Sequence, residues 1–188
     1  MSRLPGTGMA ALALLCAGCG RQEAAADKAP AAARATPRAP RIVRLYLARN
    51  GLEAVDGAGA ARLVTFGTPE AETRHLIEPV TGAPAARTDD PHCSVQPKTR
   101  LDYRGGLALT FEAGRFAAWE QGAGAGYRMR GGIAIESPRA ALSALGPVAL
   151  RRVNVTDVPI EEFTAGPVSG VLLGGKVQDF TVNAGACR

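Results

Sequence analysis

The residues of this chain whose chemistry reaches beyond packing are few: two histidines, four cysteines and some neighbouring acids. His92-Cys93 follows Asp89-Asp90, and all four are types that ligate zinc. A zinc site needs three or four converging ligands with supporting hydrogen bonds. The other histidine, His75, falls on a predicted helix face, and Cys93 is better used in a bridge, so no metal is expected. Acyl transfer by a serine needs a base and an oxyanion hole. Ser169, in Gly166-Pro-Val-Ser-Gly170, sits within a predicted strand instead of a sharp nucleophile turn. Glu161 and Glu162 are acid and base by type, but adjacent side chains diverge, and the pair reads as the start of the strand at Phe163. A hydrolase would need a pocket around His75 or these glutamates, which makes it the third reading of function.

Two glycine-rich stretches invite nucleotide readings, and both fail on spacing. Gly170-Val-Leu-Leu-Gly-Gly-Lys176 has the glycines and lysine of a phosphate loop. Val177 occupies the place of the magnesium-binding Ser or Thr, and no helix follows to face a phosphate. The stretch reads as strand, turn, strand. In Gly122-Ala-Gly-Ala-Gly126 the third glycine of a dinucleotide fingerprint is missing, since Tyr127 and Met129 follow. It reads as a flexible connection, and no cofactor is expected.

The N-terminal segment carries the strongest signal. Arg3 precedes the apolar run Met9–Ala17, too short to span a bilayer but of the length of a secretory signal. Leu15-Cys16-Ala-Gly-Cys19 then resembles the lipobox of bacterial lipoproteins, with Cys16 standing where that family usually carries leucine. The resemblance implies cleavage of residues 1–18 and acylation of Cys19. Each buried methylene contributes about 0.8 kcal/mol, so the two or three chains that such proteins carry hold firmly to a membrane. Gly20, and not aspartate, follows the cysteine, which resembles proteins sorted to the outer membrane. Residues 19–41 form the acylated start and an Ala/Pro-rich tether, with Pro30, Pro37 and Pro40 interrupting any helix.

Cysteine usage follows from that reading. With Cys16 removed and Cys19 acylated, Cys93 and Cys187 remain in an oxidising compartment and are expected to form one disulfide. Closing so long a loop is worth roughly 4 kcal/mol in the chain-entropy picture. Asn154-Val-Thr156 fits a glycosylation acceptor, a pattern with little meaning in a bacterium.

Charge excludes one class. The net charge is +5. Arg21, Lys28, Arg34, Arg38 and Arg41 outweigh Glu23 and Asp27 on the tether, and Arg3 lies in the leader, which leaves residues 42–188 near neutrality. A nucleic-acid binder concentrates positive charge on its folded part, so none is expected as a partner.

Residues 42–188 suffice for one domain with a real core. Ile42–Leu47 and Arg62–Phe66 read as strands. Thr68 is the expected N-cap of a helix with Pro69 in its first position and Glu70 and Glu72 at its positive end. Leu76 and Ile77 face inward, and Pro79 ends the helix near Glu78. The phrase returns 69 residues later: Gly132–Ile135 as strand, Ser137 as cap, and Ala141, Leu142 and Leu145 as inward stripe before Gly146-Pro147. Gly105–Phe111 with Gly114-Arg-Phe116 and Trp119 echoes Gly166–Leu172 with Gly175-Lys-Val177 and Phe180 at an offset of 61, a longer polar loop around Thr88–Lys98 explaining the difference. The fold class is therefore α+β: two degenerate units of strand, helix and antiparallel strands, the sheet covered by two short helices.

Such paired units are similar to the fold shared by β-lactamase inhibitor proteins and the SmpA/OmlA outer-membrane assembly lipoproteins. Phe66-Gly-Thr-Pro69, Gly106–Phe111, Gly114-Arg-Phe116 with Trp119, and Ala184-Gly-Ala-Cys-Arg188 also resemble small uncharacterised proteobacterial envelope proteins. These resemblances bring no activity with them; the export signal and the lack of a catalytic constellation lead to the expectation of a lipid-anchored, non-catalytic envelope protein that faces the periplasm and binds, or assists the assembly of, another envelope protein. The alternative is an inhibitor or ligand-binding module using a concave sheet face. Most aromatic mass is expected in the core. Trp119 and Tyr103 are the residues that would serve as protein-binding anchors if they stood on an exposed sheet face.

Overall fold

The computed structural model describes residues 41–90, 97–124, 126–153 and 160–183. In chain order the strands are β1 (Ile42–Ala48), β2 (Gly51–Asp56), β3 (Ala61–Thr65), β4 (Ala86–Asp90), β5 (Lys98–Asp102) and β6 (Leu107–Glu112). They continue as β7 (Arg115–Gln121), β8 (Arg128–Met129), β9 (Ala149–Val153), β10 (Ile160–Ala165), β11 (Val168–Leu173) and β12 (Lys176–Val182). An α-helix, α1 (Glu70–Thr81), follows β3, and a 3-10 helix, η1 (Arg139–Leu145), precedes β9. A four-stranded sheet has the order β3-β2-β1-β8, and an eight-stranded sheet has the order β4-β5-β6-β7-β12-β11-β10-β9. Among the described residues only the short β1–β8 pairing is parallel. The fold class is α+β, as the strand and helix patterns predict.

The eight-stranded sheet is the two units laid side by side, joined at β7 and β12. The same backbone bonds recur in each unit at the two sequence offsets. Glu70 N–H donates to the Gly114 carbonyl (2.9 Å), and Arg139 N–H to that of Gly175 (2.8 Å). Phe116 N–H donates to Thr68 O (2.8 Å), as Val177 N–H does to Ser137 O (2.9 Å). Gly67 N–H reaches Phe116 O (2.7 Å), matched by Glu136 N–H on Val177 O (2.8 Å). Isolated bridges join Pro69 to Arg115 and Pro138 to Lys176. Even the bulges coincide, between Thr110 and Phe111 in β6 and between Val171 and Leu172 in β11.

Strand alternation sends Leu107, Leu109, Phe111, Phe116 and Trp119 to one face of the large sheet, where all are buried. Val168, Leu172, Val177, Phe180 and Val182 do the same in the second unit. These side chains share one core with Leu45, Leu47 and Leu52 of the small sheet, Leu76 and Ile77 of α1, and Leu142 and Leu145 of η1. Each fully buried large apolar side chain contributes roughly 1.5–3 kcal/mol, so this single cluster carries the fold.

Local expectations need five corrections. First, Pro69, and not Thr68, flanks the start of α1, and the Thr68 hydroxyl donates to Thr65 O at 2.8 Å in place of capping. Second, α1 runs through Pro79 to Thr81. Proline forfeits one N–H donor, while the extra turn packs Val80 on the core and ends at Gly82, whose N–H bonds Glu78 O (2.9 Å). Third, Gly132–Ile135 is not a strand. Ile133 is fully buried, but its carbonyl closes a turn with Met129 N–H (2.8 Å) and no ladder forms. Fourth, Pro138, and not Ser137, flanks the second helix, Ser137 Oγ accepting Ala134 N–H at 3.0 Å instead, and that helix is a 3-10 helix of 7 residues against the 12 of α1, ended by Gly146 at φ 84°. Fifth, part of the polar stretch expected as loop, Thr88–Asp90, belongs to β4, and Lys98 opens β5.

Candidate functional site

The lipidation residue Cys19, the cysteines Cys93 and Cys187, His92, and the Asn154-Val-Thr156 pattern lie outside the described residues. Trp119 and Tyr103 do not stand on an open face. Trp119 is fully buried, with its indole N–H on Ala48 O at 2.9 Å, and Tyr103 is 4% exposed. The core needs their volume, so neither offers a docking anchor.

The catalytic types are not brought together. His75 is exposed on α1, whereas Ser169 lies in β11 opposite Thr181 of β12. Glu161 and Glu162 point to opposite sides of β10, each on its own arginine: Arg139 (3.1 Å) and Arg151 (3.0 Å). Among the described residues no three His, Cys, Asp or Glu side chains cluster as metal ligands, and no helix is long and apolar enough to cross a membrane. The phosphate-loop lookalike is the β11–β12 hairpin, turning at Gly174 and Gly175 with positive φ, and Lys176 Nζ donates to Glu136 at 3.2 Å.

The glycine run after β7 is packed, not a loose connection. Any side chain on Gly106 would meet the Ala123 carbonyl at 2.4 Å, and the buried Gln121 amide donates to the carbonyls of Gly105 (2.7 Å) and Gly122 (3.0 Å). Glycine is needed here because two backbones touch.

Besides a hollow of about 360 Å³ between Arg44, Tyr46, Val80, Tyr127 and Arg128, two concavities bear on function. The first is on the large-sheet face opposite the core, where β5, β7 and β12 present Arg100, Glu120, Asp179 and Thr181 around a cleft of about 320 Å³. Arg100 donates to Glu120 and, at 2.9 Å, to Asp102. Burial works against the Arg100 charge, but these two carboxylates outweigh it and raise its pKa. Asp179 is pushed above the usual carboxylate range by burial first and by the Glu120 charge, against a bond from the Val171 backbone.

The second concavity is a groove of about 520 Å³ between η1 and the edge strand β9, lined by Leu142, Val148, Leu150, Ala140, Gly146 and Arg139. Leu150 is 37% exposed, one of the few large apolar side chains left to solvent. Neither concavity was among the sequence candidates. Arg100–Glu120 joins residues of β5 and β7 that are not neighbours in sequence or in the sheet order, so no local pattern marks it. A signal for the groove did exist, in Gly146-Pro-Val-Ala-Leu150 running into two arginines. Comparison with known proteins returns no match, whether to a family model, a curated protein or a solved structure.

Proposed function

We propose that this chain is a lipid-anchored envelope protein that binds, or assists the assembly of, another envelope protein without catalysing a reaction. Residues 1–18 are its signal, acylated Cys19 is its anchor, and the tether to residue 41 carries one α+β domain. Placement at the outer membrane, facing the periplasm, follows from Gly20 after the anchor. The observation that carries the reading is Leu15-Cys-Ala-Gly-Cys19 directly after a short apolar run. A covalent bridge between Cys93 and Cys187 belongs to the same proposal, since export supplies the oxidant.

The decisive measurement is the intact mass of the protein extracted from membranes. A diacylglyceryl and acyl increment on Cys19, with residues 1–18 gone, is the expected result; a chain that still begins at Met1 overturns it. Non-reducing peptide mapping reads the bridge in the same sample. Cross-linking in intact cells then tests for a protein partner.

One observation favours a second reading, a ligand-binding module. The cleft on the free sheet face joins a guanidinium, two carboxylates and a hydroxyl. Arg100→Ala and Asp179→Ala separate the two: loss of a small polar ligand supports the module, and unchanged partner capture supports the first reading.

A further inference from the structure

The two ends of the large sheet are β4 and β9, equivalent strands of the two units. Register sets the correspondence. Leu109 and Gly170, at the unit offset, pair with Leu101 and Phe163, which pair in turn with Arg87 and Leu150. Arg87 and Leu150 therefore hold the same place on the two edges, as do Asp89 and Arg152, while Glu70 and Arg139 open the two helices. On the β4 side, Arg87 crosses from the strand to the helix, donating to Glu70 at 2.8 Å and to Asp89 at 3.1 Å, and Thr99 donates to Asp89 at 2.6 Å. This polar lattice closes the groove and puts charge on the edge, the usual protection against strand addition.

On the β9 side every one of these groups has changed. Leu150 replaces the spanning arginine, Arg139 turns inward to Glu161 of β10 (3.1 Å), and Arg152 has no ion pair among the described residues. The shortened η1 leaves the groove open beside a strand edge whose outer N–H and C=O groups face no other strand among the described residues. A free edge beside an apolar furrow recognises an extended segment by main-chain bonds, with alternate side chains dropping into the furrow. On the groove's own face of the sheet, Arg139 and Arg152 stand against Glu161, so that face is net positive, while Arg151 and Glu162 pair on the other face.

We infer that the β9 edge and the β9–η1 groove bind an extended segment of another protein that alternates apolar with acidic residues. Charge selects this occupant. The chain's own tether is basic, and a second copy added antiparallel about the centre of β9 would set Arg151 against Arg151, which destabilises a cross-strand pair. The inference rests on the proposed protein-binding role and names the surface for it, but it does not rest on membrane anchoring.

The test uses the full chain in detergent and an equimolar pool of capped, fluorescein-labelled pentapeptides, Asp-X-Glu-X-Asp, with X as Leu, Ile, Val or Phe. Saturable anisotropy is expected, weakened about tenfold or more by Leu150→Lys or Arg152→Glu and by N-methylation of alternate peptide amides. Leu63→Lys, on the exposed edge strand β3, leaves binding unchanged, and bound peptide slows hydrogen exchange in β9. Absence of saturation below about 1 mM, or equal binding of a Lys-X-Arg-X-Lys pool, overturns the inference. Self-association abolished by Leu150→Lys would make the occupant a second copy, and tighter peptide binding after deletion of residues 20–40 would make it the tether; either result overturns it too. A chain lacking lipid on Cys19 but binding the peptides fails the anchored reading alone.

Discussion

Trp119 and Phe180 meet edge to face, their ring centroids 5.7 Å apart and their planes at 86°. They are the same residue of the two units, and each sits on the strand that joins its unit to the other. Between them the Glu120–Thr181 pair lies on the axis that exchanges the halves, because Thr181 is the counterpart of Glu120 in the second unit. The junction of the sheet is thus a self-complementary contact, filled by two large rings and sealed by the Thr181 hydroxyl on Trp119 O at 2.8 Å.

Removing one ring should therefore loosen both units. Phe180→Ala is expected to cost about 3–5 kcal/mol, the range for a fully buried aromatic. Denaturant unfolding measures the loss, and the emission of Trp119, the only tryptophan, should shift to the red in the native state. A cost below about 1 kcal/mol would mean that the junction does not hold the halves together.

The units keep volume while exchanging residues. Leu101 beside Leu109 in the first becomes Phe163 over Gly170 in the second, the ring lying where a side chain on residue 170 would go. A Cβ there would stand 2.7 Å from the Phe163 ring and 2.2 Å from the Asp179 carbonyl. Gly170→Ala is expected to destabilise by about 1–3 kcal/mol or more. Because one clash is with backbone, Phe163→Leu should fail to restore the loss, and a full rescue in the double variant would contradict the packing described.

This exchange also explains how much of the architecture was legible. Repeated phrases such as Thr68-Pro69 and Ser137-Pro138 exposed the duplication, because a turn needing fixed residues leaves a literal mark. Alternation marked β6, β7 and β11 as strands with one buried face. What stayed hidden is set by tertiary context. Ile133 looks like a strand residue but is buried in a turn, and β4, all of whose residues are exposed, has no apolar pattern. Gly146-Pro-Val-Ala-Leu150 hinted at an apolar edge, but that it stands open where the first unit is closed emerges only from comparing Arg87 with Leu150, whose equivalence needs the sheet register. That most aromatic mass fills the core follows from its scarcity in the composition, and the strand faces exclude the alternative of Trp119 and Tyr103 as surface anchors.

Asp179 gives the sheet a defined response to pH. Its side chain is open to solvent on one side, but partial desolvation in the cleft and the Glu120 charge raise its folded-state pKa, so the folded protein holds that proton more firmly than the unfolded chain. Stability is then highest below the unfolded value near 4 and falls as pH rises through the folded pKa. Asp179→Asn is expected to raise Tm at pH 7, with the gain vanishing near about pH 3. A Tm gain independent of pH would assign the effect to something other than this charge.

Tyr103 makes the corresponding case at alkaline pH. Burial, followed by the charge of Glu78, pushes its phenol up to about 12, with Arg74 opposing. The folded state again keeps the proton longer, so stability falls as pH rises from about 10 through the folded value. The buried hydroxyl has no hydrogen-bond partner among the described residues. Tyr103→Phe should accordingly leave stability at pH 7 unchanged or raise it by up to about 1 kcal/mol, and should flatten the alkaline loss. Destabilisation beyond about 1 kcal/mol would reveal a bond to the hydroxyl and refute the expectation.

The difference between the two sheet edges can be moved from one unit to the other. Glu70 and Arg87 close the first groove with a salt bridge at 2.8 Å, and Arg139 and Leu150 hold their places in the second. Arg139→Glu with Leu150→Arg transplants the closing pair onto β9. Both positions are exposed, but Arg139→Glu also takes from the mostly buried Glu161 its partner and sets a like charge beside it, so the double variant should be about 0.5–2 kcal/mol less stable than the parent. Closing the groove removes an apolar furrow from solvent, and binding of a hydrophobic dye such as ANS is expected to fall. Leu150→Arg alone would face Arg139 across the groove and should fall short of that closure. If the double variant binds the dye as strongly as the parent, the edges do not differ through these two residues, and the asymmetry between the units must arise from the shorter helix alone.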